Sequence, residues 1–166
     1  MKTFFLLIFT FVVTLTTFGQ NKSREIDVRI QGIGSGTTYS TVIRKLGKPL
    51  HSKTTKFKAS EACSGATETH LTLIYKGLEI TLHGDSRGRN LSVYEIEVIS
   101  SKWIASEISV GAKSKDVLTK FGEPNSKAEK AGEVIFYYGM KNNLGGVNFY
   151  FQNNRLIKIL MNETLC

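Results

Sequence analysis

Residues 33–49 read IGSGTTYSTVIRKLGKP and residues 108–124 read ISVGAKSKDVLTKFGEP, so one phrase is written twice, 75 residues apart and without a gap. Ile33/Ile108, Gly36/Gly111, Val42/Val117, Lys45/Lys120, Gly47/Gly122 and Pro49/Pro124 are identical, while Ile43/Leu118 and Leu46/Phe121 exchange one apolar side chain for another. Self-similarity at one fixed spacing marks a duplicated structural unit. The chain is therefore expected to hold two copies, residues 20–100 and 101–166, behind a short leader.

The repeated phrase reads as a short helix with a stop. Thr38 stands where a cap is wanted, and Tyr39, Val42, Ile43 and Leu46 follow at i, i+3, i+4 and i+7, which puts one apolar stripe on a helix. Val117, Leu118 and Phe121 keep the stripe in the second copy, with Ser114 as the capping residue and Asp116 near the positive helix end. Gly47 and Gly122 fall where a left-handed residue ends a helix, and Pro49 and Pro124 forbid continuation.

Strands follow each stop. LTLIY (71–75), LEITLH (78–83) and SVYEIEVI (92–99) read as strands in the first copy, the last two alternating apolar and polar residues, and VIFYY (134–138), GVNFYFQ (146–152) and RLIKILM (155–161) read as strands in the second, the last two joined by Asn153-Asn154. EIDVRIQ (25–31) adds an edge strand, and SKWIASEI (101–108) crosses between units with Trp103 packed inward. The expected fold is α+β: two tandem repeats, each a short helix and a three-stranded antiparallel meander, sharing one curved sheet with the helices on one face.

The first twenty residues place Lys2 before an apolar run from Phe4 to Val13 and end in small or polar residues, the pattern of a secretory signal peptide spanning 1–19. That run is too short to cross a membrane, and no later stretch reaches the roughly twenty apolar residues a span requires. The protein is expected to be exported, periplasmic or secreted. Cleavage leaves 147 of 166 residues and lowers the net charge from +8 to +7. Two cysteines survive, Cys63 and Cys166, and in an oxidising compartment they are expected to pair. Such a bridge closes a long loop, worth about 4 kcal/mol in the chain-entropy model.

Catalytic and cofactor signatures are missing. GIGSG (32–36) lacks the Gly-Lys-Ser/Thr of a phosphate loop and the full dinucleotide spacing, so it reads as a helix entry. His51, His70 and His83 show no metal-ligand spacing. The triad letters in His83-Gly84-Asp85-Ser86 crowd one turn and read as a polar loop. No enzyme activity, cofactor, metal or nucleic acid is expected; the competing reading is a small periplasmic hydrolase or other enzyme with an unrecognised site.

The phrase G-x-x-x-x-x-V-[IL]-x-K-[LF]-G-x-P, followed by aromatic strands and the NNRLIKI hairpin, resembles two related families of exported α/β modules. One is the outer-membrane assembly lipoprotein family BamE (SmpA/OmlA), with one copy, and the other is the β-lactamase inhibitory protein family, with two. The resemblance covers residues 33–161 and implies a protein that grips a protein or cell-envelope partner on an open, aromatic sheet face. The chain departs from both families. It has neither the lipid-bearing Cys of the first nor a disulfide within each unit as in the second.

Alternation in GVNFYFQ buries Val147, Phe149 and Phe151 and leaves Tyr150 on the opposite face with Asn148 and Gln152. Tyr75, Tyr94 and either Tyr137 or Tyr138 compete for similar places, and Tyr75, Tyr94, Tyr138 and Tyr150 are taken as partner-binding, since tyrosine suits a half-exposed contact. Arg44, Lys45, Lys48, Lys53, Lys56 and Lys58, a basic stretch without an acid, form the second candidate surface, read as a loop.

Overall fold

The computed structural model describes residues 25–58, 65–141 and 145–163. The expected signal peptide and both partners of the expected Cys63–Cys166 bridge lie outside the described residues. In chain order come β1 (Glu25–Ile26), α1 (Tyr39–Leu46), β2 (His51–Lys58), β3 (Thr67–Tyr75), β4 (Leu78–Gly84), β5 (Ser92–Val98), β6 (Ile104–Ala105) and β7 (Ile108–Ser109). Then follow α2 (Ser114–Phe121), β8 (Ser126–Lys130), β9 (Glu133–Met140), β10 (Gly145–Gln152) and β11 (Arg155–Glu163). Nine strands make one sheet in the order β1-β9-β10-β11-β5-β4-β3-β2, with β8 also on β9, and β6 pairs with β7 apart from it.

This corrects the expected α+β arrangement of helix-plus-three-strand repeats. Among the described residues sheet dominates, with two eight-residue helices against eleven strands. Each half supplies four antiparallel strands rather than three, β2–β5 and β8–β11, and the first half adds β1 as a ninth, which makes the sheet mixed because it runs parallel to β9. The missed strands, HSKTTKFK in β2 and SKAEK in β8, are exposed at every position and carry no apolar alternation to read. Lysines on an outermost strand hinder pairing with another chain, so their polarity reflects their edge position.

Both helices end where their glycines turn left-handed, Gly47 at φ 76° and Gly122 at φ 75°, each donating its N–H to the carbonyl four residues back. The caps differ from expectation. Thr38 holds the N-cap place of α1, but its hydroxyl bonds the Thr41 hydroxyl rather than the backbone. In α2 that place belongs to Lys113, whose N–H donates to the Asp116 carboxylate at 2.8 Å.

The duplication runs through the backbone bonding. Val93 N–H donates to Thr37 O and Leu156 N–H to Ala112 O, at 2.9 and 2.8 Å; Gly36 N–H reaches Val93 O and Gly111 N–H reaches Leu156 O. The Tyr75 hydroxyl donates to Gly47 O at 3.1 Å and the Tyr138 hydroxyl to Gly122 O at 2.6 Å, each pinning a helix stop to its strand. Both halves carry a bulge at the same place, Thr81/Leu82 in one and Tyr150/Phe151 in the other. Where β5 meets β11, Val98 faces Ile159, Glu97 faces Leu160 and Ile96 faces Met161. Since Val93 and Leu156 are counterparts, so are Ile96 and Ile159, Glu97 and Leu160, and Val98 and Met161. The central pairing is therefore its own mirror under exchange of halves, and a pseudo-twofold axis passes through the sheet at Glu97 and Leu160. Ile30, which bridges its own counterpart Ala105, lies on the same axis of exchange.

The inner face of the sheet and both helices enclose one core. Leu78, Ile80 and Leu82 of β4 and their counterparts Val147, Phe149 and Phe151 of β10 are at most 2% exposed, and Val42 of α1 and Val117 of α2 are wholly buried among them. At about 25 cal/mol per Å² of apolar area removed from water, this shared core is the main source of stability.

Candidate functional site

Pleating sends alternate side chains to the outer face, which no described helix covers, and here the two halves diverge. Counterpart positions read Glu79/Asn148, Thr81/Tyr150, His83/Gln152, Glu95/Lys158 and Glu97/Leu160. The first half is acidic and histidine-bearing, the second aromatic, apolar and basic.

In the second half, Tyr150 faces Ile135 across β9 and Lys158 across β11, while Asn148 faces Tyr137 and Leu160. All of these side chains are half-buried, and Lys158 Nζ sits 4.3 Å above the Tyr150 ring centre, covering part of it. Lys158 also reaches back to Glu97 at 3.8 Å, linking the halves.

In the first half, Glu79 and Glu97 are direct cross-strand neighbours. Burial, and secondarily the charges of Glu97 and Glu79, raise the Glu95 carboxyl above its ordinary 4.5. A raised carboxyl means that the folded chain binds this proton more tightly than the unfolded chain. Glu95 therefore contributes stability that is complete below pH 4.5 and is lost as the pH rises through its raised value.

Next to these acids, His70 and His83 are paired directly across β3 and β4. Glu68 Oε2 lies 3.9 Å from His70 Nε2 and 3.5 Å from His83 Nδ1. Tyr94, projecting at the bulge, sets its hydroxyl 3.4 Å from His70 Nδ1, and Phe57 stacks on His70 with ring centres 5.6 Å apart. Burial, with Glu95 as the lesser cause, raises the Tyr94 phenol above its ordinary 10, so it stays protonated as a hydrogen-bond donor at neutral pH. Spacing along the chain gives His70 and His83 no metal-ligand pattern, and their gathering with carboxylates is the arrangement that would favour the competing enzyme reading. Their meeting follows from hairpin register, which no spacing rule along the chain reports; the alternation of His70 and His83 with apolar neighbours was the available signal.

Of the residues expected to meet a partner, Tyr94 and Tyr150 lie on the outer face. Tyr75 and Tyr138 are inner-face residues, 7% and 0% exposed, committed to the helix stops. The basic stretch is not a loop. Arg44 and Lys45 end α1, Lys45 Nζ holding Gln31 O and Gly32 O at 3.2 Å, and Lys48 lies between α1 and β2. Lys53, Lys56 and Lys58 ride on β2, where Lys53 opposes the outer-face Thr72, and Lys56 and Lys58 oppose Thr69 and Thr67 on the other side. These charges form no single patch. Among the described residues no group of three or more histidine, cysteine or acidic side chains is placed to hold a metal ion, and no helix is long and apolar enough to cross a membrane.

No protein-family model matches the chain, and no curated protein matches it. Among solved structures, it is similar to an extracellular protein containing a SCP domain from Bacillus anthracis str. Ames, at 12% identity and TM-score 0.45, over 77% of this chain and 43% of that one. It is also similar to a DUF4309 family protein (YjgB) from Bacillus subtilis subsp. subtilis str. 168, at 9% identity and TM-score 0.38, over 76% of this chain and 78% of that one. The chain thus spans less than half the length of the first. Neither carries the description of an inhibitory protein or an assembly lipoprotein.

Proposed function

We propose that this is an exported, non-enzymatic binding module that holds a protein or cell-envelope component against its outer sheet face. The observation that carries the reading is the contiguous group Tyr137, Ile135, Tyr150 and Leu160, large side chains kept half in water on the face away from both helices. Tyrosine and aliphatic side chains in this state gain from a partner that completes their burial, and tyrosine is enriched among binding hot spots. The resemblance to modules that grip partners on an open aromatic sheet points the same way.

The test compares the wild-type protein with the double variant Tyr150→Ala/Leu160→Ala as bait for envelope and secreted fractions, after matched thermal melts. Wild type is expected to retain a reproducible partner that the folded variant loses, with each side chain worth about 2 kcal/mol or more of binding. A variant that melts as wild type does and keeps every partner sinks the reading.

A further inference from the structure

We propose that the free edge of β2 takes up an extended acidic segment of a partner protein as an added antiparallel strand. Among the described residues β2 ends the sheet, paired with β3 alone, and its eight residues are exposed at every position. A strand in that place leaves one row of N–H and C=O groups unpaired, a template on which another backbone can be laid.

The side chains select what is laid there. β2 holds Lys53, Lys56 and Lys58 and no acid, and on β3 these lysines face Thr72, Thr69 and Thr67 rather than carboxylates. Lys53 points to one side of the sheet and Lys56 and Lys58 to the other, so neither face gathers them. A strand added at the edge has neighbours on both faces and meets all three. Like charges directly opposite are destabilising and opposite charges are favourable. The lysines that hinder pairing with most chains, a second β2 above all, therefore attract a strand that carries acids.

Phe57 shows that the edge does more than repel. It is 54% exposed, with its ring stacked on His70. Charge alone protects an edge, and a large exposed aromatic beside it works against that protection until something covers it. An apolar side chain directly across from Phe57 on an added strand does so. Register then gives the partner a pattern. On an antiparallel guest the residues opposite Lys58, Phe57, Lys56 and Lys53 are the first, second, third and sixth, so the segment reads acid, apolar, acid, any, any, acid.

β8, the counterpart edge in the second half, provides an internal control. It is five residues long, carries Glu129 between its two lysines, and its Lys127 is already held by Glu123 at 2.8 Å. Its one apolar residue is Ala128. The fold therefore requires neither the length, nor the uncompensated charge, nor the aromatic of β2.

A fluorescent peptide, Glu-Val-Glu-Thr-Thr-Glu-Thr-Val, is titrated with the full chain and its anisotropy followed. Wild type is expected to bind it saturably, and to bind the peptide with Lys in place of each Glu about tenfold more weakly or less. Lys53→Glu/Lys56→Glu/Lys58→Glu is expected to reverse that preference. Where this variant melts below wild type, Lys53→Gln/Lys56→Gln/Lys58→Gln replaces it and is expected to weaken the acidic peptide severalfold. Two further versions of the acidic peptide are N-methylated at alternate residues, so that each lacks the N–H donors of one edge. At least one is expected to lose binding, which separates an added strand from loose attraction between charges. Tyr150→Ala/Leu160→Ala is expected to bind the peptide as wild type does, so this proposal and the outer-face reading fail separately. No saturable binding by wild type, equal affinity for the two charge patterns, or binding that survives in both N-methylated versions overturns the proposal. So does a wild-type dimer in sedimentation that the folded lysine variant lacks, since a second copy then occupies the edge.

Discussion

Phe149→Ala is expected to cost about 3 to 5 kcal/mol, a large fraction of the 5 to 15 kcal/mol that typically separates a folded domain from its unfolded chain. Phe149 is wholly buried on β10 beneath α2, its ring 5.5 Å from Phe121 and edge-on to Tyr138 at 5.7 Å. Truncation leaves a cavity whose walls are a helix residue and the tyrosine that holds that helix's stop, so neither collapses freely into it. The first half fills the counterpart place with Ile80, also wholly buried. Phe149→Ile is accordingly expected to lose less than half as much. Urea unfolding reads both: the midpoint falls at an unchanged slope. A loss below about 1 kcal/mol for the alanine variant contradicts the packing described.

Trp103→Ala is the second large loss, again about 3 to 5 kcal/mol, with a different origin. Trp103 follows β5 and is 6% exposed; its indole N–H donates to Lys76 O at 3.0 Å and its ring meets Tyr75 edge-on at 6.2 Å. The indole therefore ties the segment between the halves to the β3–β4 turn, and its removal exposes Tyr75 and orphans the Lys76 carbonyl together. Trp103→Phe keeps the ring and loses the hydrogen bond, and is expected to cost about 1 to 2 kcal/mol. If the two variants unfold at the same urea midpoint, the bond rather than the packing carries the effect and this account of Trp103 is wrong.

The sequence reading went furthest where local chemistry and burial agree. Gly47 with Pro49 and Gly122 with Pro124 forced two helix ends, and the apolar stripes around Val42 and Val117 reach the core. Strands with one buried face, such as β4 and β10, were readable from alternation alone. β2 and β8 were not, because an edge strand exposed at every position has no hydrophobic period and owes its existence to a neighbour's free hydrogen-bonding edge. The parallel seating of the two-residue β1 was invisible for the same reason.

The candidate site was half legible. Tyr150 followed from the period of its strand, whereas Tyr75 and Tyr138 looked equally available, and what commits them inward is a hydroxyl reaching a helix stop 28 and 16 residues away. The meeting of Glu68, His70, His83 and Tyr94 depends on hairpin register and on the bulge in β5, which are properties of pairing rather than of any one segment. The basic stretch misled because its charges are adjacent in sequence but divided between a helix end and the two faces of a strand.

One half-sheet is built twice about an axis through Glu97 and Leu160, with inner faces alike and outer faces diverged. Circular permutation tests this most directly. By the exchange of halves, Asn162 corresponds to Ile99 and Glu25 to Ser100, so the peptide bond joining Ile99 to Ser100 has a counterpart position between Asn162 and Glu25. Ile26, Asp27, Met161 and Glu163 line one small cavity, so the two segments approach each other at that end of the sheet although β9 and β10 lie between them in the strand order. A chain running from Ser100 to Asn162, joined through a flexible glycine-serine linker to Glu25 and ending at Ile99, is compared with residues 25–162 in native order by urea unfolding. The account predicts one cooperative transition in both, with stabilities within about 2 kcal/mol, as for a chain reopened between compact units. A permuted chain without a cooperative transition, beside a native-order chain that folds, contradicts it.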